Sequence, residues 1–208
     1  MQHNNLLKKA MLAMLLCVAM PYAKSQVAHV GDILCEGNLI YPPSTYPVSG
    51  ATAIGVIFYV DDTGLHGWAV ALQDALDGSE CAWGPCNETP LPNFTNKRQA
   101  IYDLDGYHNT QVILEYSAGF PAFNAVNFED GWYLPAIGQL NYLYGNLVEV
   151  NKSFIVVGGT VFSTTNWEYW SSTEYNSEFA WIWGCNGDLG YYSYRCAFSR
   201  RVRSVRNF

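Results

Sequence analysis

The run Thr52 to Val60 (TAIGVIFYV) is almost wholly β-branched and apolar, the composition of a buried strand. Asp61-Asp62-Thr63-Gly64 supplies a turn, and Gly67 to Leu72 (GWAVAL) returns as a second strand. Upstream, turn residues at Gly37-Asn38 and Pro42-Pro43 separate short apolar runs between Gly31 and Tyr46, which predicts a smaller strand pair. Gly78 to Asn96 is loop-like, with Gly, Pro and Asn recurring. Asp105-Gly-Tyr-His-Asn-Thr110 opens a helix, with Asp105 or Asn109 as N-cap and Val112, Ile113 and Tyr116 following. Trp132-Tyr133-Leu134-Pro135 begins a second, with Pro135 in its first turn and Ile137, Leu140, Tyr144 and Leu147 at helical spacing. From Ser153 onward the pattern is short strands and loops. No linker, repeat or low-complexity tract interrupts the chain, so the expectation is one α+β domain.

The first residues read as a leader. Lys8 and Lys9 precede the apolar run Met11 to Met20, and Ala23-Lys24-Ser25 places small residues at the −3 and −1 positions of a cleavage site. The expected signal peptide is 1–25 and the expected domain 26–208. The run is too short to span a bilayer, so no transmembrane segment is expected; a retained anchor is the bland alternative. Lipidation at Cys17 is disfavoured because Leu16, not a small residue, precedes it. Localisation is therefore expected outside the cytoplasm: periplasmic, cell surface or secreted.

Half the chain is apolar and 15% aromatic, which excludes disorder. Of 11 basic residues, Lys8, Lys9 and Lys24 fall in the leader, leaving 8 against 18 acidic, a net charge of about −10. An acidic body argues against nucleic acid as a partner. The remaining basic residues concentrate at the end: Arg195, Arg200, Arg201, Arg203 and Arg206. Five cysteines follow the leader, and in an exported protein disulfides are the default. Cys81 with Cys86 could staple a loop, and Cys185 with Cys196 could tie a hairpin. Their spacings fit no zinc pattern, and no cofactor or metal is implied.

Catalytic signals are weak. Asp103-Leu-Asp105-Gly106 has part of a calcium loop's acids but lacks the ligand series and closing glutamate, so capping explains it better. His29, His66 and His108 are scattered, and no G-x-S-x-G elbow exists. Glu168 and Glu174 sit in no context that marks a catalytic pair. Glu174, beside hydroxyls, is better suited to an ion pair with Arg201 or Arg203 that pins the last strand.

The last forty residues hold a frame around a binding surface. Tyr169-Trp-Ser-Ser-Thr-Glu174 and Arg201-Val-Arg-Ser-Val-Arg206 bracket a stretch rich in Tyr and Arg, the residue types that make good binding anchors. Period-two alternation puts Trp181, Trp183 and Cys185 on one face and Ile182, Gly184 and Asn186 on the other, with Asn186-Gly187 as a hairpin turn. On the return, Asp188, Tyr192 and Tyr194 share a face, with Tyr191 and Arg195 opposite. The tryptophan face is expected in the core. The candidate ligand-binding residues are Ile182, Asp188, Tyr191, Tyr192, Tyr194, Arg195, Phe198 and Arg200; Trp132, Pro135, Trp170, Glu174, Trp181, Arg201 and Arg203 are expected to be structural.

Trp132 to Pro135 with Gln139-Leu140, Tyr169 to Glu174 and Arg201 to Arg206 resemble a family: the bacterial C-type-lectin-like domain found at the C-terminus of collagen-like adhesins. Gly31 to Cys35, Ala53 to Phe58, His66-Gly67 and Asp105 to Thr110 are similar to exported Bacteroidetes proteins with the same order of blocks. The resemblance implies a C-type-lectin-like fold of two helices with small antiparallel sheets and long loops, shared with formylglycine-generating enzymes. It does not carry their activity, because Cys185 and Cys196 are too far apart to match the reactive pair. The E-P-N, Q-P-D and W-N-D triplets of calcium-dependent sugar binding are absent. The segment Glu178 to Arg200 also resembles the variable proteins of diversity-generating retroelements. The implied function is a non-enzymatic adhesion domain with an unknown protein or glycan ligand; the alternative is a structural subunit of a fimbria-like surface complex.

Overall fold

The computed structural model describes residues 27–163, 165, 167–184 and 189–208, with Leu189 and Gly190 described through their backbone alone. The expected leader, Cys17, Cys185, the Asn186-Gly187 turn and Asp188 lie outside the described residues.

The apolar hairpin forms as its pattern requires. Strand β3 (Ala53–Val60) pairs antiparallel with β4 (Gly67–Ala71), and Asp61 closes the turn by accepting from Thr63 N and from the Thr63 hydroxyl. Strands β1 (Ile33–Cys35) and β2 (Leu39–Tyr41) form the expected small pair, and β1 docks on β3. The final strand β10 (Val205–Asn207) adds to β4, giving the order β10-β4-β3-β1-β2. A two-stranded pair joins β5 (Cys81–Ala82) to β9 (Ser199–Arg200). A third sheet, β6-β7-β8, is built from β6 (Glu168–Glu174), β7 (Phe179–Gly184) and β8 (Leu189–Tyr194). The molecule is thus a mixed α+β domain with small antiparallel sheets.

Among the described residues the α-helices are α1 (Lys97–Ala100), α2 (Gly106–Tyr116), α3 (Pro121–Asn124), α4 (Ile137–Gly145) and α5 (Leu147–Val157). Asp105, not Asn109, caps α2, its carboxylate accepting from His108 N at 3.0 Å. Asn109 is instead buried, donating to Asp103 and to the Ser172 hydroxyl. Two expectations need correction. Pro135 precedes α4 rather than opening it: its carbonyl accepts from Ser172 N, and the helix starts at Ile137, whose N–H is taken by the Thr173 hydroxyl. The helical pattern also does not end at Leu147. Asn146 breaks it, donating its side-chain amide to Phe58 O and Tyr142 O, and α5 then runs through Ser153 to Val157 until Gly158 stops it with φ 71°.

The Trp132–Pro135 block joins the elements. Tyr133 bridges to Val205 through both backbone groups, its hydroxyl donates to Asn207 at 2.7 Å, and it accepts from Gln139 at 3.0 Å. Leu134 N donates to the Thr110 hydroxyl of α2. Gln139 reaches back to accept from Ala136 N and Gly106 N, satisfying two helix-start donors with one carbonyl. This crowding explains two glycines: a Cβ on Gly106 would lie 2.6 Å from Leu134 O, and one on Gly138 would lie 2.4 Å from Asp103 O.

The core lies in layers. One cluster packs β3, β4, α4 and α5 against Tyr169, Trp181 and Trp183; a second packs Trp170, Ala180 and Ile182 against α2, α3 and Trp83. Strands β6 and β7 are therefore covered on both faces, and alternation along β7 distributes its residues between two cores rather than between core and solvent.

The C-terminal arginines close this architecture through Asp74. Arg203 Nε lies 2.5 Å from one Asp74 carboxylate oxygen and Arg201 Nη1 3.1 Å from the other, which also accepts from the Tyr169 hydroxyl at 3.3 Å. Arg203 is buried and spends its other nitrogens on Ala71 O and Thr160 O. Asp74→Ala leaves that guanidinium buried without a counter-charge, so urea unfolding is expected to show a loss of about 3–5 kcal/mol. An unchanged unfolding midpoint would refute this assignment.

Candidate functional site

The late hairpin forms, and the structure divides its candidate residues sharply. Strand β8 is the outer strand of its sheet; Tyr192 lies opposite Trp181, and Tyr194 opposite Phe179. Tyr191, Tyr192, Tyr194 and Phe198 are 57, 45, 43 and 51% exposed, high values for side chains that carry this much apolar area. Ile182 and Arg195 are not contacts. Ile182 packs in the second core because the face opposite the tryptophans is covered by α2 and α3. Arg195 is fully buried and ion-paired. Arg200 is half-buried, its Nε 2.6 Å from Glu168 Oε2 but without hydrogen-bond alignment, and its guanidinium lies 5.5 Å from the Phe198 ring.

The exposed rings continue the first core out to the surface. Trp181 is buried and donates its indole N–H to Phe94 O at 2.7 Å. Beyond it Tyr175 stacks on Tyr192 with centroids 4.0 Å apart, Phe179 meets Tyr192 edge-on at 5.1 Å and Tyr194 at 4.1 Å, and Phe198 follows at 6.3 Å from Tyr194. Tyr175 and Phe179 belong to this strip, yet the sequence reading passed over them. Their signal was available: both flank the β6–β7 turn, and Phe179 shares the period-two face of Trp181. Tyr191 projects from the other face of β8, apart from the strip.

Beneath the strip lies a buried charge pair. Glu174 pairs with Arg195, not with Arg201 or Arg203, which correct their expected partner by both binding Asp74. Arg195 Nη1 sits 2.9 Å from Glu174 Oε2, close in distance although its N–H does not point well at the oxygen. Arg195 also donates to Glu88 O, and its guanidinium lies 4.9 Å from the Trp83 ring centroid. Burial pushes the Glu174 carboxyl up to about 7, with the Arg195 charge pulling the other way. Burial also lowers Arg195 from its ordinary value, opposed by Glu174.

The cysteines pair across the fold rather than locally. Cys86 bonds to Cys196, in place of the expected Cys81–Cys86 and Cys185–Cys196 bridges. Cys81 is a free thiol that burial pushes up to about 11, so little of it is the thiolate that could attack the bridge. The bridge fastens the 83–96 loop to the end of β8, where Trp83 N and Gly84 N already donate to Arg195 O and Asn87 N donates to Ser177 O. Among the described residues no group of three or more His, Cys, Asp or Glu side chains could hold a metal ion, and no helix is long and apolar enough to cross a membrane.

No protein-family model matches the chain, and no curated protein matches it significantly. Among solved structures it is similar to a fimbrial protein from Bacteroides ovatus ATCC 8483, with a TM-score of 0.66 and 18% identity, over 86% of this chain and 49% of that one. The chain thus spans about half the length of that structure. At this identity the likeness is one of fold.

Two outcomes test the site. Raising the Glu174 carboxyl above its unfolded value means the folded state holds an extra proton between the two pKa values, so this group's stabilisation is full below about pH 4.5 and lost as pH rises through about 7. Arg195→Met, which strands Glu174 without its counter-charge, is therefore expected to destabilise the fold by about 3–5 kcal/mol at pH 8 and distinctly less at pH 5, by urea melts. Equal losses at both pH values would remove Glu174 from the account. Peptide mapping without reductant should recover Cys86 linked to Cys196, and replacing both by alanine should lower stability by about 4–5 kcal/mol, the loop-entropy value for a bridge between residues 110 apart.

Proposed function

We propose that this chain is an exported, non-enzymatic adhesion domain that works at a bacterial cell surface and binds through the strip Tyr175, Phe179, Tyr192, Tyr194 and Phe198. The observation that carries this reading is that contiguous aromatic strip centred on the outer strand β8, kept partly in water by a strand whose opposite face is anchored by a buried arginine. Exposed apolar patches of this kind mark interaction sites, and rigid aromatic side chains give contact area at small entropic cost. The disulfide supports export to an oxidising compartment. The carboxyl with the most strongly raised pKa is sealed inside against an arginine, which supports binding over acid–base catalysis. The C-type-lectin-like description of the fold, and diversification of the segment from Glu178 to Arg200, belong to this same proposal; they rest on the sequence blocks.

A second reading has its own support: a structural subunit of a fimbria-like complex. It is favoured by the fold shared with the Bacteroides ovatus fimbrial protein and by β8 lying at a sheet edge, where a partner strand could add. Beads coated with the chain from residue 26 onward, and beads carrying Tyr192→Ser/Tyr194→Ser, separate the two on mucin-coated surfaces. Adhesion is expected for the former and a loss of about tenfold or more for the variant, with thermal stability held within about 0.5 kcal/mol. Beads that fail to adhere, or a variant that adheres equally well, would sink the adhesion reading. Loss of cross-linking to other envelope proteins by the same variant would then favour the subunit.

A further inference from the structure

After β4 the chain makes a turn that its residues do not favour. Leu76, Asp77 and Gly78 adopt φ of 53°, 52° and 81° in succession, the left-handed region in which glycine is at ease and leucine is not. Ala75 N bonds to Val202 O and Ser79 N to Leu76 O, so the turn is fixed at both ends. The hydrophobic core gains nothing from it: the Leu76 side chain is exposed, and the exposed Asp77 carboxylate has no hydrogen bond or ion pair among the described residues. Strain of this kind clusters at ligand and active sites, which marks the turn as a place to look for one.

What the turn does is bring Asp77 and Gly78 to the wall of a depression of about 410 Å³, whose other walls are Gln73, Asp74, Thr160 and Arg201. Its size falls within the roughly 300–1,000 Å³ of small-molecule sites. Gly78 lies beside Arg201, where a Cβ would make ordinary contact at 3.5 Å from Nη1. Arg201 spends Nη1 on Asp74, lies 4.3 Å from the Trp167 ring centroid, and leaves its other donors without a hydrogen-bond partner among the described residues. Asp74 is already satisfied by two arginines. The free groups are therefore one acceptor, Asp77, and one donor edge, Arg201.

Charge decides the ligand class. Asp74 is compensated by Arg203, which is buried outside the lining, so the depression itself offers one free charge of each sign, Asp77 and Arg201, and an ion of either sign meets repulsion as well as attraction. A neutral polyol meets none, and neighbouring hydroxyls can donate to a carboxylate while accepting from a guanidinium. We propose that this depression is a second binding site, for a neutral saccharide ring whose adjacent hydroxyls bridge Asp77 and the free edge of Arg201. It shares no residue with the aromatic strip and does not depend on that strip's function.

Saturation-transfer NMR on the chain from residue 26 onward, with the methyl glycosides of glucose, galactose, mannose and fucose as probes, tests it. At least one should give a saturable signal, weakened about tenfold or more in Asp77→Gly and in Asp77→Asn. Glycine and asparagine both accept the left-handed backbone, so neither variant should melt earlier than the parent. Tyr192→Ser/Tyr194→Ser should bind the glycoside unchanged. The proposal is overturned if none of the four probes saturates, if both Asp77 variants bind as the parent does, if loss of signal comes only with a lower melting temperature, or if glucuronate alone binds.

Discussion

Everything about the candidate binding face rests on one carboxylate and one guanidinium that meet out of water. Arg195 receives two backbone N–H groups of the 83–96 loop on its carbonyl, while its side chain reaches Glu88 and covers Trp83. Glu174 accepts Phe94 N on its own carbonyl. A buried pair of this kind adds little net stability compared with apolar residues of the same size, but stranding one partner is severe. Register is where it acts. If β8 slipped by one residue against β7, side chains would exchange faces and Glu174 would face no cation. The tyrosines are presented on the outer part of the sheet because the arginine cannot be anywhere else.

The same asymmetry explains how the C-terminal arginines divide. Arg195 serves the three-stranded sheet, Arg201 and Arg203 converge on Asp74, and Arg206 lies over Trp132 at 5.4 Å. The alternating R-V-R block leaves Val202 and Val205 to the two cores while Arg201 and Arg203 meet one acid, Asp74, supplied by a distant loop. Of the chain's few basic residues, Arg195 and Arg203 are thus buried in ion pairs, while Lys97, Arg98 and Lys152 stay at the surface.

Much of this was legible in the sequence where the signal was local. The β3–β4 hairpin followed from a β-branched run and its turn, the α2 cap from Asp105, and the exposed tyrosines from their place on the return strand. What the sequence hid was long-range. Asp74 sits in an ordinary-looking loop, and nothing near it signals that two arginines more than a hundred residues later will need it. The partner of Cys86 is 110 residues away, so a shorter bridge looked more natural. Ile182 and Arg195 were misread for one reason: alternation tells two faces apart but not whether the second face is covered. Helix α5 is not legible as a helix of its own, because its first residue, Leu147, continues the spacing of α4 across Asn146 and the pattern is read no further.

The bridge from Cys86 to Cys196 also imposes an order of events on the molecule. All the α-helices described, together with β6, β7 and β8, lie between those two residues in the chain. The covalent ring therefore cannot close until that whole stretch has been made and Cys196 has been brought to Cys86. A partly emerged chain holds its loop unfastened and its aromatic edge unformed. Strands β9 and β10 and the two arginines that bind Asp74 follow Cys196, so the first sheet is completed only after the second cysteine of the bridge has been made.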